Sequence, residues 1–370
     1  MTVIQGPVRR IVVLRALMLG DTMCAVPALR ALRRAWPEAC ISLLGLPASR
    51  ELVSRLGCVD RWLPFPGWPG LPEQPVDVHA LPDFISRMQA AQWDLAVQLH
   101  GSGQLTNPLI SLFAARHTAG LRAEGGFAPE PALFCTWPDQ GSEVQRLLAW
   151  CRHLGLPTDD GRLEFPLQPG DDEALRLAWP AWGHGPPYAC LHAGAQLASR
   201  RWPVERFAGV AQALHDMGLA VVLTGTAAER PLVDRLSALL QTRGVPHVDL
   251  AGATTLWTLG SLLRNARVLV CNDTGVSHVA AALGTPSVVV SCGSDAARWA
   301  PADTARHRVL AAPAACRPCA HADCPVGHGC ALALGVADVV HTLHDLLERI
   351  PCPADCASSP GTSTATTSTT

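Results

Sequence analysis

Short apolar runs alternate with segments of helical spacing along the first third of the chain. RIVVLRAL, over residues 10–17, is rich in branched side chains and predicts a buried strand. The run breaks at residues 19–21, and the pattern that follows predicts a helix with Pro27 near its start. Two further strands are predicted over residues 40–46 and 94–103. Strand, helix and strand in this order imply parallel strands joined by right-handed crossovers.

The same alternation stops near the middle of the chain and then resumes. Pro, Gly and Asp cluster between residues 155 and 187, and such a cluster predicts an inter-domain connection. Beyond it, apolar runs predict four more buried strands, over residues 188–194, 219–225, 267–272 and 286–293.

Together these patterns predict an α/β protein with two Rossmann-like, doubly wound parallel-sheet domains that face a central cleft. The chain has 370 residues, which is enough for two domains with a core each. The C-terminal tail has almost nothing to bury, so we expect it to be disordered. The expected parts are an N-terminal domain over residues 1–165, a linker region over 166–186, a C-terminal domain over 187–335, a closing helix over 336–350 and the tail over 351–370.

Composition and charge argue against several classes of protein. Hydrophobic residues make up 48% and charged residues 16%, and the formal net charge of -2 argues against a general nucleic-acid-binding protein. All 29 basic residues are arginines, so an arginine can stand where a motif has a lysine. The N-terminal apolar run is short and interrupted by Arg15, unlike a secretory signal, and no window offers about 20 uninterrupted apolar residues. We therefore expect a cytoplasmic protein without a transmembrane helix, in which most of the 14 cysteines are reduced and buried.

The clearest candidate site is CNDTGVSHVAAALGTP, over residues 271–286, which begins as the end of a strand and continues as a helix. The carboxyl end of a parallel strand and the N-terminus of the next helix together form an anion-binding site, in which hydroxyl groups and helix amides donate to phosphate oxygens. In the alternative interpretation, Asp273 or Thr274 only caps the helix. The candidate residues are Asp273, Thr274, Gly275, Ser277 and His278.

Two further candidates follow neighbouring strands of the second domain. HAGAQLASRRWPVERF, over residues 192–207, delivers Arg200 and Arg201 from a loop, and arginine suits a diphosphate because it forms paired hydrogen bonds. The alternative is a solvated basic pair at the surface. Glu229 lies beyond the next strand, where a carboxylate can accept hydrogen bonds from ribose hydroxyls. It is equally consistent with an acid in the first turn of a helix.

The first domain contributes a candidate carboxylate, Asp21, at the end of the first strand. A carboxylate that projects into the cleft could take a proton from an attacking hydroxyl, although caps and turns use Gly-Asp pairs often. The loops over residues 65–75 and 100–107 are candidate acceptor-binding segments. Within them, His100 and Asn107 are candidates whose alternative is a buried structural role.

Three blocks resemble glycosyltransferase family 9, the bacterial heptosyltransferase family. Residues 10–44 resemble its opening strand, its L-G-D turn and its P-A-L-R-x-L-R-x-x-x-P helix. LHAGAQLASRRWPVERFA resembles its G-A…K-R-W-P-x-E-x-F block, and CNDTGVSHVAAALGTPSVVV resembles its D-T-G-x-x-H-x-A-x-A-L-x-x-P signature. The order and spacing of the blocks extend over nearly the whole folded chain.

The resemblance implies a GT-B fold, in which the N-terminal domain mainly holds the acceptor and the C-terminal domain holds the nucleotide-sugar donor. It implies inverting, metal-independent transfer of a sugar, typically heptose from ADP-heptose, to a lipopolysaccharide-core or other glycan acceptor. A lipid-linked acceptor would bring the enzyme into peripheral contact with the inner face of the inner membrane.

The family motifs also imply roles for individual residues. Asp21 matches the general base, Arg201 stands in the place of a phosphate-contacting lysine, and Glu229 lies near a ribose-binding acid. The matches to the donor-sugar and diphosphate site are Asp273, Thr274, Gly275 and His278.

A cysteine-rich segment, CRPCAHADCPVGHGC over residues 316–330, remains outside these blocks. Its spacing permits a tetrahedral structural zinc or iron site, while reduced or partly disulfide-bonded cysteines are the alternative. A related branch of the family binds iron through four cysteines with a different spacing. The candidate ligands are Cys316, Cys319, Cys324 and Cys330, and Cys352 and Cys356 are weaker candidates. No cofactor is required by the predicted chemistry.

Two other functions are compatible with the same fold. A sugar-nucleotide epimerase or hydrolase would need an additional acid–base constellation in the cleft, and a non-catalytic sugar-nucleotide-binding subunit would not need Asp21. Because Asp21 accompanies the donor motif, the sequence favours the transferase.

Overall fold

Two six-stranded parallel sheets form the framework of the computed structural model, which describes residue 4 and residues 6–350. The first sheet consists of β1 (Arg10–Leu14), β2 (Cys40–Gly45), β3 (Arg61–Pro64), β4 (Leu95–Gln98), β5 (His117–Arg122) and β6 (Phe134–Thr136). The second sheet consists of β7 (Tyr188–His192), β8 (Ala220–Leu223), β9 (His247–Asp249), β10 (Val268–Asn272), β11 (Ser287–Val290) and β12 (His307–Leu310). We call the parts built on these sheets the N-terminal and C-terminal lobes.

The two sheets have the same topology. Their orders are β3-β2-β1-β4-β5-β6 and β9-β8-β7-β10-β11-β12, so each changes direction between its first and fourth strands. In open parallel sheets, ligands bind at this switch point, beyond the carboxyl ends of the strands. The topology therefore predicts ligand binding at the carboxyl ends of β1 and β4 in one lobe and of β7 and β10 in the other.

Helices connect these strands within each lobe and between the lobes. Those of the N-terminal half are α1 (Leu19–Ala35), α2 (Arg50–Val53), α3 (Leu81–Ala90), α4 (Thr106–Ser111), α5 (Glu143–His153) and α6 (Pro169–Ala178). Those of the C-terminal half are α7 (Val204–Asp216), α8 (Arg230–Thr242), α9 (Leu256–Arg264), α10 (Gly275–Leu283), α11 (Ala296–Trp299), α12 (Gly329–Leu332) and α13 (Val336–Arg349). Among the residues described, none of these helices has the length and apolar character needed to cross a membrane.

The central strands match the apolar runs of the sequence. All residues of β4, β7, β10 and β11 are buried, because parallel sheets are covered on both faces and their strands are apolar throughout. Prediction and structure agree on these strands to within a few residues at each end. The predicted tail lies outside the described residues, and the exact domain boundaries stay a prediction.

Two local predictions differ from the structure. Gly20 and Asp21 were expected in a turn after a longer first strand, but α1 already begins at Leu19 and includes both residues in its first turn. Pro27 consequently lies inside the helix rather than near its start. The predicted linker region contains α6, whose start is favoured by Pro169 and by the Asp171 carboxylate, which accepts a 2.7 Å hydrogen bond from the Gln168 amide.

The two lobes approach each other closely at the first turns of α1 and α10. A Cβ atom on Gly20 would lie 2.7 Å from Cδ2 of His278 and 3.2 Å from Cα of Gly275. No side chain fits between these backbones, so glycine at position 20 sets the distance between the lobes at the cleft.

We expect the substitution Gly20→Ala to push the lobes apart at this contact. Overpacking of a tight contact costs about 1–3 kcal/mol, so the free energy of unfolding should fall by about that amount in chemical denaturation. Gly57→Ala is the matched control, since a Cβ atom there would meet nothing within 4 Å. Equal stability of Gly20→Ala and Gly57→Ala would contradict the close approach.

Candidate functional site

A cavity of about 530 Å³ lies between the lobes, beyond the carboxyl ends of both sheets. Its volume is in the range of sites for small organic ligands. Met18, Leu19 and Ala48 contribute its wall in the N-terminal lobe. Of the predicted site residues, the cavity is lined by Asp21, Glu229, Asp273, Thr274, Gly275 and His278.

The N-terminus of α10 points its first amides toward this cavity. Thr274 is the residue before the helix and has extended backbone, but its side chain makes no capping hydrogen bond. Among the described residues, no acceptor pairs with the amides of Gly275 and Val276. Ser277 is buried, and its hydroxyl donates to the Thr274 carbonyl at 2.8 Å, so it supports the turn. The interpretation that Thr274 only caps α10 therefore fails, and the free amides suit an anion.

The Asp273 carboxylate is held by a chain of polar groups that leads away from the cavity. Its Oδ2 accepts a hydrogen bond from Ser294, whose hydroxyl lies 2.7 Å from that of Ser291. The Arg317 guanidinium donates to the Ser291 hydroxyl at 3.1 Å and to the Ser294 carbonyl at 2.9 Å. Asp273 thus has a fixed orientation at the cavity wall, which a helix cap would not require.

His278 faces the opposite lobe from the first turn of α10. Its Nδ1 lies 3.8 Å from the Cys24 sulfur, and its ring packs edge-on against Trp299. Burial alone would lower the pKa of the imidazole, but the Cys24 sulfur and the Asp273 and Asp21 carboxylates raise the pKa to about 9. His278 is therefore a cation at neutral pH, beside the free amides of the helix.

Asp21 lies across the cleft from His278, in the first turn of α1. Burial is the largest influence and raises the pKa of this carboxyl above its ordinary value, with a further increase from Glu143. The positive charges of Arg15, His278 and Arg298 act in the opposite direction. A carboxylate with a raised pKa is a stronger base once it is ionised, as general-base catalysis needs.

The structure places Arg200, and not Arg201, among the residues that line the cavity. The Nε of Arg201 donates instead to the Ala195 carbonyl at 2.8 Å. Counted back from Trp202 and Pro203, the lysine of the K-R-W-P motif also falls on Arg200. The diphosphate contact predicted for Arg201 is therefore better matched by Arg200.

The cysteine-rich segment braces the turn that carries Arg200. The amide of Ser199 donates to the Ala322 carbonyl at 2.9 Å, and its hydroxyl donates to the His321 carbonyl at 2.6 Å. Nε2 of His328 lies 2.8 Å from the Ser199 carbonyl. Through Arg317, the same segment also fixes the loop that holds Asp273. Two parts of the cavity wall thus depend on this segment.

The metal site that the cysteine spacing permits is not assembled in the described part of the chain. All four cysteines of the segment are free, and residues 4 and 6–350 contain no group of three or more His, Cys, Asp or Glu that could hold a metal ion. Cys316 is exposed, whereas Cys319 and Cys330 are buried. The contacts of the segment with the cavity wall come from its backbone and from the side chains of Arg317 and His328. Cys352 and Cys356 lie outside the described residues.

The structure is compatible with both interpretations of Glu229 that the sequence left open. Its Oε2 accepts hydrogen bonds from the Thr226 amide at 2.8 Å and hydroxyl at 2.9 Å, as an acid at a helix start does. It also lines the cavity, with Oε2 at 3.8 Å from Nε2 of His192. A Cβ atom on Gly194 would lie 1.9 Å from Oε1, so glycine there admits the carboxylate.

His100 and Asn107 lie away from the cavity lining. The Asn107 amide donates to the carbonyls of Leu121 at 3.1 Å and Phe127 at 2.9 Å, and it is fully buried. These hydrogen bonds fit the buried structural role that was the alternative interpretation. His100 is buried as well, with Nε2 at 3.4 Å from the Glu73 carboxylate.

Sequence reasoning missed several residues that shape the site. Trp299 lines the cavity, and Arg317 supports Ser294, which holds Asp273, from a segment in which only the cysteines were candidates. Arg15 was seen only as an interruption of an apolar run, yet it is completely buried and donates to the Asp21 carbonyl. A buried charge within a strand pattern is the one signal that could have identified it.

The comparisons with known proteins agree with this geometry. The model of glycosyltransferase family 9 (heptosyltransferase) matches residues 83–329. Lipopolysaccharide heptosyltransferase 2 of Escherichia coli (strain K12) is 27% identical over 301 residues, which cover 76% of this chain and 82% of that protein. Lipopolysaccharide heptosyltransferase 1 of Pseudomonas aeruginosa is 26% identical over 290 residues, covering 75% and 77%.

Solved structures resemble the whole fold. E. coli ADP-heptose LPS heptosyltransferase II gives a TM-score of 0.72 at 22% identity, covering 92% of this chain and 99% of that one. E. coli heptosyltransferase WaaC with ADP has a TM-score of 0.63 at 19% identity, covering 92% of this chain and 98% of that one. The iron-containing dodecameric glycosyltransferase TibC of enterotoxigenic E. coli has a TM-score of 0.55 at 13% identity, covering 94% of this chain and 78% of that one. The two-lobed architecture is thus the GT-B fold that the sequence resemblance implied.

The raised pKa of His278 predicts a pH limit for anion binding. As pH rises through about 9, the imidazolium loses its proton, and inorganic pyrophosphate should bind more weakly in calorimetric titrations. The His278→Gln variant should bind pyrophosphate weakly at all pH values, with no further decrease in affinity near pH 9. His184 is exposed, and the control variant His184→Gln should show the same decrease in affinity as the unmodified protein. Unchanged pyrophosphate affinity across pH 9 in the unmodified protein would contradict a charged His278.

Proposed function

The chain belongs to glycosyltransferase family 9, and we propose that it transfers heptose from ADP-heptose to a lipopolysaccharide-core or other glycan acceptor with inversion at the anomeric carbon. One observation carries the proposal. Asp21 of the N-terminal lobe lines a single cavity together with four predicted residues at the start of α10 in the C-terminal lobe, Asp273, Thr274, Gly275 and His278. A base and an anion site on opposite walls are what direct displacement of a nucleoside diphosphate requires.

The C-terminal lobe would bind the donor. The diphosphate fits against the free amides of α10, with Arg200 and the His278 imidazolium supplying positive charge. Glu229 lines the cavity and is our candidate partner for the ribose hydroxyls. Asp273, held by Ser294, would accept hydrogen bonds from hydroxyl groups of the sugar.

The N-terminal lobe would present the acceptor to the donor from the side of Asp21. In the reaction, the acceptor hydroxyl gives its proton to the Asp21 carboxylate while its oxygen forms a bond to the anomeric carbon. The bond from that carbon to the phosphate oxygen breaks, and its electron pair leaves with ADP. Attack from the face opposite the leaving group inverts the anomeric centre.

Negative charge grows on the departing diphosphate as this bond breaks. The α10 amides, Arg200 and His278 are in place before the reaction, so they stabilise the transition state without reorganising. The bracing of Asp273 and of the Arg200 turn by residues 316–330 contributes to this preorganisation. We also propose that a lipid-linked acceptor brings the enzyme to the inner face of the inner membrane as a peripheral protein.

The base is tested by Asp21→Asn, which keeps the shape of the side chain and removes its ability to accept a proton. We expect turnover of ADP-heptose with acceptor to fall by about 10²–10⁴-fold, while calorimetric binding of ADP stays close to normal. Asp83→Asn, at an exposed position of α3, serves as the control and should retain full turnover. Near-normal turnover by Asp21→Asn would eliminate Asp21 as the base.

The diphosphate contact is tested by comparing Arg200→Gln with Arg201→Gln. Loss of a charge-assisted hydrogen bond costs about 1.5–3 kcal/mol, so Arg200→Gln should weaken ADP binding by at least about tenfold. Arg201→Gln should have a smaller effect, because the Nε of Arg201 is engaged by Ala195. The exposed Arg243 supplies the control Arg243→Gln. A larger loss of ADP affinity in Arg201→Gln than in Arg200→Gln would reverse the assignment.

A further inference from the structure

A buried carboxylate, Glu143, joins arginines from the two lobes. The side chains of Glu143 and Arg15 are both completely inaccessible to solvent. Oε1 of Glu143 accepts a 2.8 Å hydrogen bond from Nη2 of Arg15, and Oε2 accepts a 2.7 Å bond from Nε of Arg298. Arg15 directly follows β1 and Glu143 begins α5, whereas Arg298 belongs to α11 of the C-terminal lobe. The second bond therefore exists only when the lobes are together.

Arg298 is held at this position by aromatic rings from both lobes. Its guanidinium lies 5.4 Å from the ring centre of Trp137, which follows β6, and 4.6 Å from that of its neighbour Trp299. Both distances suit cation–π contact. Trp299 also lines the catalytic cavity and packs against His278. One turn of helix thus contacts the cavity with Trp299 and the opposite lobe with Arg298.

Arg15 connects Glu143 to Asp21, the proposed base. Its Nε and Nη2 donate to the Asp21 carbonyl at 3.1 and 2.9 Å, and Nη1 donates to the Leu99 carbonyl at 2.5 Å. Two nitrogens of one guanidinium therefore fix the carbonyl of Asp21, and the third ties the same guanidinium to Leu99. The orientation of that guanidinium in turn depends on Glu143, because the planar fork of arginine allows few arrangements of its partners.

We propose that Arg298 is a positioning residue that completes the Arg15–Glu143 network when the lobes close, and so fixes Asp21 for proton transfer only in the closed enzyme. The role rests on the proposed function of Asp21 as the base. It differs from the donor contacts in acting on the opposite wall of the cleft. An open enzyme would leave Oε2 of Glu143 without Arg298 and the base less well oriented.

The charges around Asp21 give this network an electrostatic signature. Arg15 faces Asp21 from the end of β1, Glu143 from α5, His278 from α10 and Arg298 from α11. Burial raises the pKa of Asp21, and Arg298 is one of the groups that lower it. Removal of Arg298 should therefore raise this pKa further and move the acid limb of the pH–rate profile to higher pH. A purely structural role of Arg298 would not move that limb.

The experiment compares Arg298→Gln, Arg298→Lys and the control Arg306→Gln. Arg306 lies in the same segment, but its ion pair is with Asp303 three residues away and is half-exposed. For each full-length variant, kcat and the KM for ADP-heptose are measured over a pH series. Hydrogen exchange of the first turn of α1 is measured in parallel and needs no substrate.

For Arg298→Gln we expect kcat to fall by about 10- to 100-fold with little change in donor KM, since misplacement of a catalytic group by about 1 Å has an effect of that size. The acid limb should move to higher pH, and exchange in the first turn of α1 should increase. Arg298→Lys should keep the acid limb near its original pH and recover only part of kcat, because the charge remains while the fork is lost. Arg306→Gln should resemble the unmodified enzyme.

Two results would overturn the proposal. One is an Arg298→Gln enzyme with unchanged kcat, acid limb and α1 exchange. The other is an Arg306→Gln enzyme with the same changes as Arg298→Gln, since the effect would then be a general loss of charge. If the unmodified enzyme transfers no heptose, the proposed function fails, but hydrogen exchange in the Arg298→Gln and Arg306→Gln variants still decides whether Arg298 orders α1.

Discussion

The close contact between the first turns of α1 and α10 is the constraint on which the site depends. Both helices begin beyond the carboxyl ends of the central strands, so the contact joins the two switch points of the fold. Glycine at positions 20 and 275 allows the two backbones to meet directly, with the His278 ring beside the contact. As a result, a carboxylate from one lobe and a free helix N-terminus from the other share one cavity.

Charged side chains that are buried at such a contact need partners of opposite charge. Asp21 and His278 face each other across the cleft, and each shifts the pKa of the other toward its charged form. Behind Asp21, Glu143 lies between two arginines and keeps a pKa below its usual value, although burial would raise it. Burying Arg15 and Glu143 is costly unless both are hydrogen-bonded, and all three guanidinium nitrogens of Arg15 and both carboxylate oxygens of Glu143 have partners. The bonds that join the lobes at Glu143 thus belong to the same network that holds the Asp21 carbonyl.

The central strands could be predicted from sequence because burial on both faces requires apolar residues without interruption, as in β7 and β10. The edge strands β3 and β9 have exposed or half-buried residues throughout and so carry no comparable signal. The α10 site was predictable because its residues are contiguous in the chain. The partners of Arg15 could not be predicted, since Glu143 lies 128 positions away and Arg298 belongs to the other lobe. Contacts of this kind arise only from tertiary packing.

The central claim concerns where the donor lies relative to the two lobes. The most direct measurement is a crystal structure of the Asp21→Asn variant with intact ADP-heptose, which cannot turn over if Asp21 is the base. The account predicts that the diphosphate contacts the amides of Gly275 and Val276 and the Arg200 side chain, with the anomeric carbon facing residue 21. A diphosphate bound away from α10, or an anomeric carbon turned from residue 21, would contradict it.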